Sequence, residues 1–259
     1  MVMSPQVRTR RKLPCQSKTS CVAETTTPYV TFKNAGFDIQ FATEKGASPE
    51  CDVKLLEGPV QKLMGATQTV KDEYAKLKQT PAWQNPLSWT SSDFSLDPFD
   101  VVYIPGGHEK GMKQLLDSPT AQTHIASYFP QTQKPSTKHV VSMCHGPILL
   151  AHAKGPDGKP IIHDATLTAF TGAYESAAYA VSAPFLGDYV KTYGPGSDTV
   201  EEIVKKGLDD PRQFVANQNP LPFVHVDGKY NLVTARYPPD AQTLADKAVE
   251  VVQANLAAA

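Results

Sequence analysis

Two short stretches carry the side chains with chemistry to offer. The first is His139–Val140–Val141–Ser142–Met143–Cys144–His145–Gly146–Pro147, and the second is Pro105–Gly106–Gly107–His108. In the first, an apolar run leads through small Ser142 into Cys144, and Ile148–Leu149–Leu150–Ala151 continues as a helix-like run. Strand, sharp turn and helix compressed in this way lay out a nucleophile elbow, which holds one side chain at the C-terminal edge of a parallel sheet. The positive end of the following helix favours thiolate over thiol, and His145 is placed to accept a proton if its ring swings over the sulfur. A lone cysteine in an apolar strand is more often core than nucleophile. Here the cysteine ends its run, a glycine follows two residues later, and a second glycine loop stands upstream. In that loop, Gly106 and Gly107 let the backbone turn with its amides exposed, as an oxyanion hole requires; an ordinary strand-to-helix turn has the same composition.

These residues need a sheet to stand on. Phe37–Ala42 alternates as a strand, Phe99–Ile104 reads as a buried parallel strand, and Ala165–Phe170 as a further strand. Phe223–Val226 and Leu232–Ala235 flank Asp227–Gly228–Lys229 as a hairpin. Helices are expected over Val22–Gly36, Thr120–Phe129, from Thr171 onward, and Asp240–Leu256. Residues 51–80 show helical periodicity broken by Gly58–Pro59 and Gly65, which suggests helical pieces inserted as a cap over the site. The Gly- and Tyr-rich Phe185–Gly196 is expected at the mouth of the site. Alternating strands and helices with short connections predict an α/β, three-layer α/β/α sandwich with a mainly parallel sheet.

The composition sets outer bounds. A chain of 259 residues with 41% hydrophobic content can bury a substantial core as one domain. A net charge of −1 gives no electrostatic footprint for nucleic acid or an anionic membrane, and no apolar run approaches the ~20 residues of a membrane helix. The four cysteines, Cys15, Cys21, Cys51 and Cys144, fit no zinc spacing, so no metal and no cofactor is expected. A free nucleophilic thiol suits a reducing, cytoplasmic setting. Residues 1–21 stand apart: Arg8, Arg10, Arg11, Lys12 and Lys18 precede the first acid, Glu24. The segment is expected to be irregular or disordered, with a mitochondrial leader as the alternative.

The pairing of Pro105–Gly106–Gly107–His108 with Ser142–Met143–Cys144–His145–Gly146–Pro147 resembles the ThiJ/PfpI superfamily, in its glyoxalase III and heat-shock chaperone-like branch. The resemblance runs from about Val22 to the C-terminus and implies the class I glutamine amidotransferase-like fold, with a flavodoxin-like sheet. It implies Cys144 as nucleophile with His145 beside it, and Gly106, Gly107 and the amide after the cysteine as oxyanion donors. It puts Glu24, in its E-x-x-x-P-Y setting, next to the sulfur; residue chemistry alone reads Glu24 as a first-turn helix acid. His108 fits the glyoxalase-like branch. An acid that orients His145 is expected after Phe170–Thr171, with Glu175 the best match and Asp164, Asp188 and Asp198 as rivals. The implied activity is conversion of methylglyoxal and water to lactate without glutathione, on a small dicarbonyl and in a chain that can pair as a homodimer. A cysteine amidase, peptidase or deglycase, and a non-enzymatic stress chaperone or redox sensor, are the other readings. The family's first core strand would fall in residues 1–20, where the stretch Arg8–Ser20, with five basic residues and a proline, makes a poor central strand. The sheet is therefore expected to be one strand short.

Overall fold

The computed structural model describes residues 2–5, 22–58, 61 and 66–258. Its main sheet has six strands in the order β2-β1-β5-β6-β8-β7: β1 (Val2–Pro5), β2 (Phe37–Gln40), β5 (Val101–Ile104), β6 (His139–Met143), β7 (Val224–Val226) and β8 (Leu232–Ala235). β5, β6 and β8 are parallel neighbours, β1 runs antiparallel between β2 and β5, and β7 antiparallel to β8. Hence β2, β5, β6 and β8 point the same way. A two-stranded parallel pair, β3 (Ala42–Thr43) with β4 (Leu87–Ser88), lies beside the main sheet.

Helices cover both faces. On one, α1 (Val22–Asn34) packs against α2 (Gln68–Lys78) and the C-terminal α7 (Ala241–Ala257), which also meets β6, β7 and β8. On the other, α3 (Pro119–Tyr128) and α6 (Val200–Lys206) flank α4 (Pro147–His152), and α5 (Gly172–Leu186) packs on α6. The fold is the expected three-layer α/β/α sandwich. Its centre is dry: every residue of β5, β6 and β8 is buried, as parallel strands covered on both faces require.

Most elements follow from local sequence. α1 ends at Ala35–Gly36, where Gly36 takes φ +84°. Phe32 of α1 stacks on Phe37 at 5.8 Å and meets Tyr103 of β5 edge-on at 6.0 Å, tying the helix to two strands. The Asp227 side chain accepts from the amides of Lys229 and Tyr230 and so turns the β7–β8 hairpin.

Two expectations are corrected. Val2–Pro5, inside the segment expected to be irregular, is a strand with Val2 opposite Gln40 and Val102, so the slot between β2 and β5 is filled and the sheet is not one strand short there. The remaining basic stretch, Arg8–Ser20, lies outside the described residues. Ala165–Phe170 is largely buried, with Thr166 and Phe170 half-buried, but joins no strand of the main sheet. Leu167 instead exchanges backbone hydrogen bonds with Gln213 and Val215, and the amide of Thr168 donates to the Thr234 hydroxyl. The edge of β8 that it would have extended is already paired with β7. Of the expected insertion over 51–80, the structure describes a 3₁₀ turn at Val53–Leu55 and helix α2.

Candidate active site

The elbow lies at the C-terminal end of β6, in the middle of the sheet, where parallel strands open their loops to ligands. Cys144 has φ +57°, the one non-glycine among the described residues with a positive φ. For an L-residue that backbone is strained, and it persists because the surroundings over-determine it. The Cys144 amide donates to the Ala235 carbonyl of β8 at 3.1 Å, and the Cys144 carbonyl accepts from Phe170 at 3.2 Å. The turn also lies hard against the loop after β5. A Cβ on Gly146 would stand 2.6 Å from the Ile104 carbonyl and 2.6 Å from the Ser142 hydroxyl. A Cβ on Gly106 would stand 2.4 Å from Cys144 Cβ, 2.6 Å from a Glu24 carboxyl oxygen and 2.9 Å from the His145 nitrogen. Both glycines are there because no side chain fits.

Glu24, Cys144 and His145 thus converge around Gly106. The Cys144 sulfur is 3.2 Å from His145 Nδ1, so the ring does swing over the sulfur. Glu24 arrives from the first turn of α1, positioned by the Tyr103 hydroxyl of β5, which donates to the Glu24 carbonyl. Its carboxyl is fully buried, and neither oxygen has a partner at hydrogen-bonding geometry among the described residues. Burial raises its pKa to about 8, although the neighbouring Cys144 side chain and Gly106 amide pull the other way. Burial, with His108 and Lys191 nearby, lowers the His145 pKa to about 3. His108 is lowered as well, again by burial first. At neutral pH the site therefore holds a protonated acid and two neutral imidazoles, all able to pass protons to or from a group bound at the sulfur.

Glu24, Gly107, His108, Cys144 and His145 line one cavity of about 330 Å³. Leu55, from the 3₁₀ turn, reaches the same cavity, as does Val190 of the segment expected at its mouth. Tyr189 of that segment meets the His108 ring edge-on at 4.6 Å.

Glu175 does not orient His145. Its carboxylate, at the first turn of α5, pairs with Lys191 at 3.0 Å and accepts from the Val200 amide at 2.8 Å. Both side chains of the pair are almost wholly buried. The rival acids are engaged elsewhere: Asp164 with Lys229, Asp188 with Lys110 and Asp198 with Lys206. His145 Nε2 is buried without a partner among the described residues. Sequence reasoning also missed Lys191 and the far wall of the cavity, made by Phe170, Tyr174, Ala178 and Tyr237–Pro239. A signal existed for Tyr237–Pro239: it directly follows β8, at the same edge of the sheet as the elbow.

Comparison with known proteins places the chain in a family. A family model described as ThiJ/PfpI family-like matches residues 18–201. The chain belongs to this ThiJ/PfpI-like family. The chain is similar to a glutathione-independent glyoxalase of Schizosaccharomyces pombe, 28% identical over 231 residues, covering 87% of this chain and 85% of that protein. An uncharacterised protein of the same yeast is also 28% identical, over 225 residues covering 86% of this chain and 76% of its own length. Among solved structures, glyoxalase III from Candida albicans superposes with a TM-score of 0.64 at 19% identity, covering 92% of this chain and 94% of that one. This last likeness shows the fold alone. No described helix is long and apolar enough to cross a membrane.

Proposed function

We propose that this ThiJ/PfpI-like protein is a cysteine-dependent, glutathione-independent glyoxalase that converts a 2-oxoaldehyde and water to the 2-hydroxy acid, methylglyoxal giving lactate. The observation that carries the reading is the meeting of the Cys144 sulfur, the His145 ring 3.2 Å away and the buried Glu24 carboxyl in one cavity. Relatives at 25–28% identity that bear the name glutathione-independent glyoxalase support it.

The chemistry needs no external oxidant or reductant. The Cys144 sulfur adds to the aldehyde carbon, giving a hemithioacetal whose oxygen is held by the Gly107 and His145 amides. The hydrogen on the former aldehyde carbon then leaves as a proton, accepted by neutral His145, to form an enediol. Returning that proton to the adjacent carbon, with Glu24 serving the oxygen, makes a 2-hydroxy thioester. Water opens the thioester, releasing the hydroxy acid and the thiol. One carbon is oxidised and its neighbour reduced, so electrons balance within the substrate.

A protonated acid beside an unprotonated imidazole supplies one proton donor and one proton acceptor at the sulfur. The test is lactate formation from methylglyoxal in a glutathione-free, chelator-treated preparation, alongside Cys144→Ser. Lactate from the native protein and none from the variant is expected. Equal rates in both would remove Cys144 from the reaction.

A further inference from the structure

The cavity is far larger than a three-carbon dicarbonyl needs, and its two halves differ. Methylglyoxal has five non-hydrogen atoms and fills the room of roughly four waters at about 30 Å³ each. The cavity holds about 330 Å³, in the range of pockets for much larger ligands. Glu24, Cys144, His145 and His108 supply its polar groups. The remaining wall is Leu55, Phe170, Tyr174, Ala178, Val190 and Tyr237, closed by Pro238–Pro239. Among the described residues, no lysine or arginine lines it.

The two tyrosines do not make this wall polar. The Tyr174 hydroxyl donates to the Gln218 carbonyl at 2.6 Å, and the Tyr237 hydroxyl to the Pro220 carbonyl. With the Tyr174 phenol committed to the 218–220 loop and the Tyr237 hydroxyl 3.4 Å from it, what they offer the cavity is ring surface; the rings lie 5.2 Å apart, centroid to centroid. Phe170 continues the surface to the chemistry, 5.7 Å from the His145 ring. This wall is also fixed in place. The Arg236 guanidinium lies 4.8 Å over the Tyr237 ring and donates to the carbonyls of Asn217, Asn219 and Leu221, which holds the loop that receives both hydroxyls. Asp240 grips Arg236 in turn with both oxygens at 2.9 Å, in a wholly buried pair. A pre-organised aromatic wall built this way loses little freedom when a flat apolar group settles on it.

We infer that the preferred substrate is a 2-oxoaldehyde carrying a bulky, uncharged, apolar substituent of aryl class, whose ring lies against Phe170, Tyr174 and Tyr237 while its aldehyde meets Cys144. This rests on the glyoxalase reading for the reaction, but the binding claim is separable from it. One added methylene in an apolar pocket commonly changes kcat/KM by about 10-fold or more, so a phenyl for a methyl is expected to do at least that.

The experiment compares kcat/KM for phenylglyoxal and methylglyoxal in the native protein and in Ala178→Trp, which narrows the apolar half. A second measurement asks whether acetophenone slows iodoacetamide labelling of Cys144 more than acetone does; neither ketone carries an aldehyde to react. A native preference for phenylglyoxal of about 10-fold or more, a lower ratio in the variant, and protection by acetophenone at concentrations where acetone gives none are expected. A native preference for methylglyoxal, or equal values, would overturn the inference and leave the glyoxalase reading standing. No turnover of either aldehyde would overturn the glyoxalase reading instead, and acetophenone protection would still decide what the cavity binds. The protection assay uses the native chain, so a poorly folded variant does not remove the test.

Discussion

Cys144 stands at φ +57° without the freedom of a glycine, and what it gains is a sulfur held 3.2 Å from His145 Nδ1 with Glu24 behind it. Removing the side chain should show the strain. Cys144→Gly and Cys144→Ala both lose the sulfur, but only glycine relaxes in the left-handed region. Left-handed strain of about 1–2 kcal/mol, less the roughly 0.5–1 kcal/mol that glycine loses in unfolded-state entropy, leaves Cys144→Gly the more stable by about 0.5–1 kcal/mol. Urea unfolding of the two variants checks this; a less stable glycine variant would mean the elbow is unstrained. Glu24 gives a second expectation at this scale. With a pKa near 8, it is neutral when the thiol is attacked by an alkylating agent at pH 6.5 and charged at pH 9. A carboxylate beside the sulfur opposes the thiolate. The iodoacetamide rate of Cys144 should therefore carry an inflection near pH 8, absent in Glu24→Gln, whose turnover should also fall. An unchanged profile in the variant would detach Glu24 from the sulfur.

Between elements, the contact with most at stake is Lys191–Glu175, which clamps the first turn of α5 to the segment behind the cavity and, through the Val200 amide, to α6. Both side chains are buried, so removing one charge strands the other. Glu175→Gln or Lys191→Met should each cost about 3–5 kcal/mol, far more than a surface pair such as Lys76–Glu73. Urea midpoints should drop accordingly, and a loss under 1 kcal/mol would mean water reaches the pair. This pair also marks where sequence reading stops. Glu24, Cys144 and His145 were legible through their motifs, and α1, β2, β5, β6, the hairpin and α7 through periodicity and turn residues. Glu175 was legible as an acid in a first turn, but not in what it faces, because its partner lies 16 residues later across a loop. Ala165–Phe170 has the pattern of a strand because it is buried, and burial sets that pattern whether or not a strand edge is free. Val2–Pro5 carries little strand propensity; its pairing depends on the vacant edges of β2 and β5, which no local window contains. The aromatic wall draws on residues 170, 174 and 237, joined only by the fold.

Across the whole molecule, buried titratable groups set how stability varies with pH. His145 and His139 are held neutral by burial, with pKa values near 3 and 4, against about 6.5 unfolded. As pH falls below 6.5 the unfolded chain takes up protons at these rings that the folded chain refuses, so stability falls toward acid pH; His108 acts in the same direction. Glu24 has the opposite sign. Its carboxyl rises from 4.5 to about 8 on folding, so between those values the folded chain holds a proton that the unfolded chain has lost, and stability falls as pH rises. From pH 4.5 to 6.5 the histidines outnumber Glu24 and stability climbs; from 6.5 to 8 Glu24 acts against an otherwise flat background. The maximum is therefore expected near pH 6.5. By pH 9, above its pKa of about 8, ionisation of Glu24 has cost on the order of 5 kcal/mol. Glu24→Gln, which keeps a neutral polar group in the same place, should match the native protein near pH 4 and exceed its stability at pH 9. Urea unfolding at pH 4, 6.5 and 9 for both proteins reads this directly. Parallel curves for the two would show that Glu24 ionises in the folded protein as freely as in the unfolded chain, and with that the protonated acid at the sulfur would be lost.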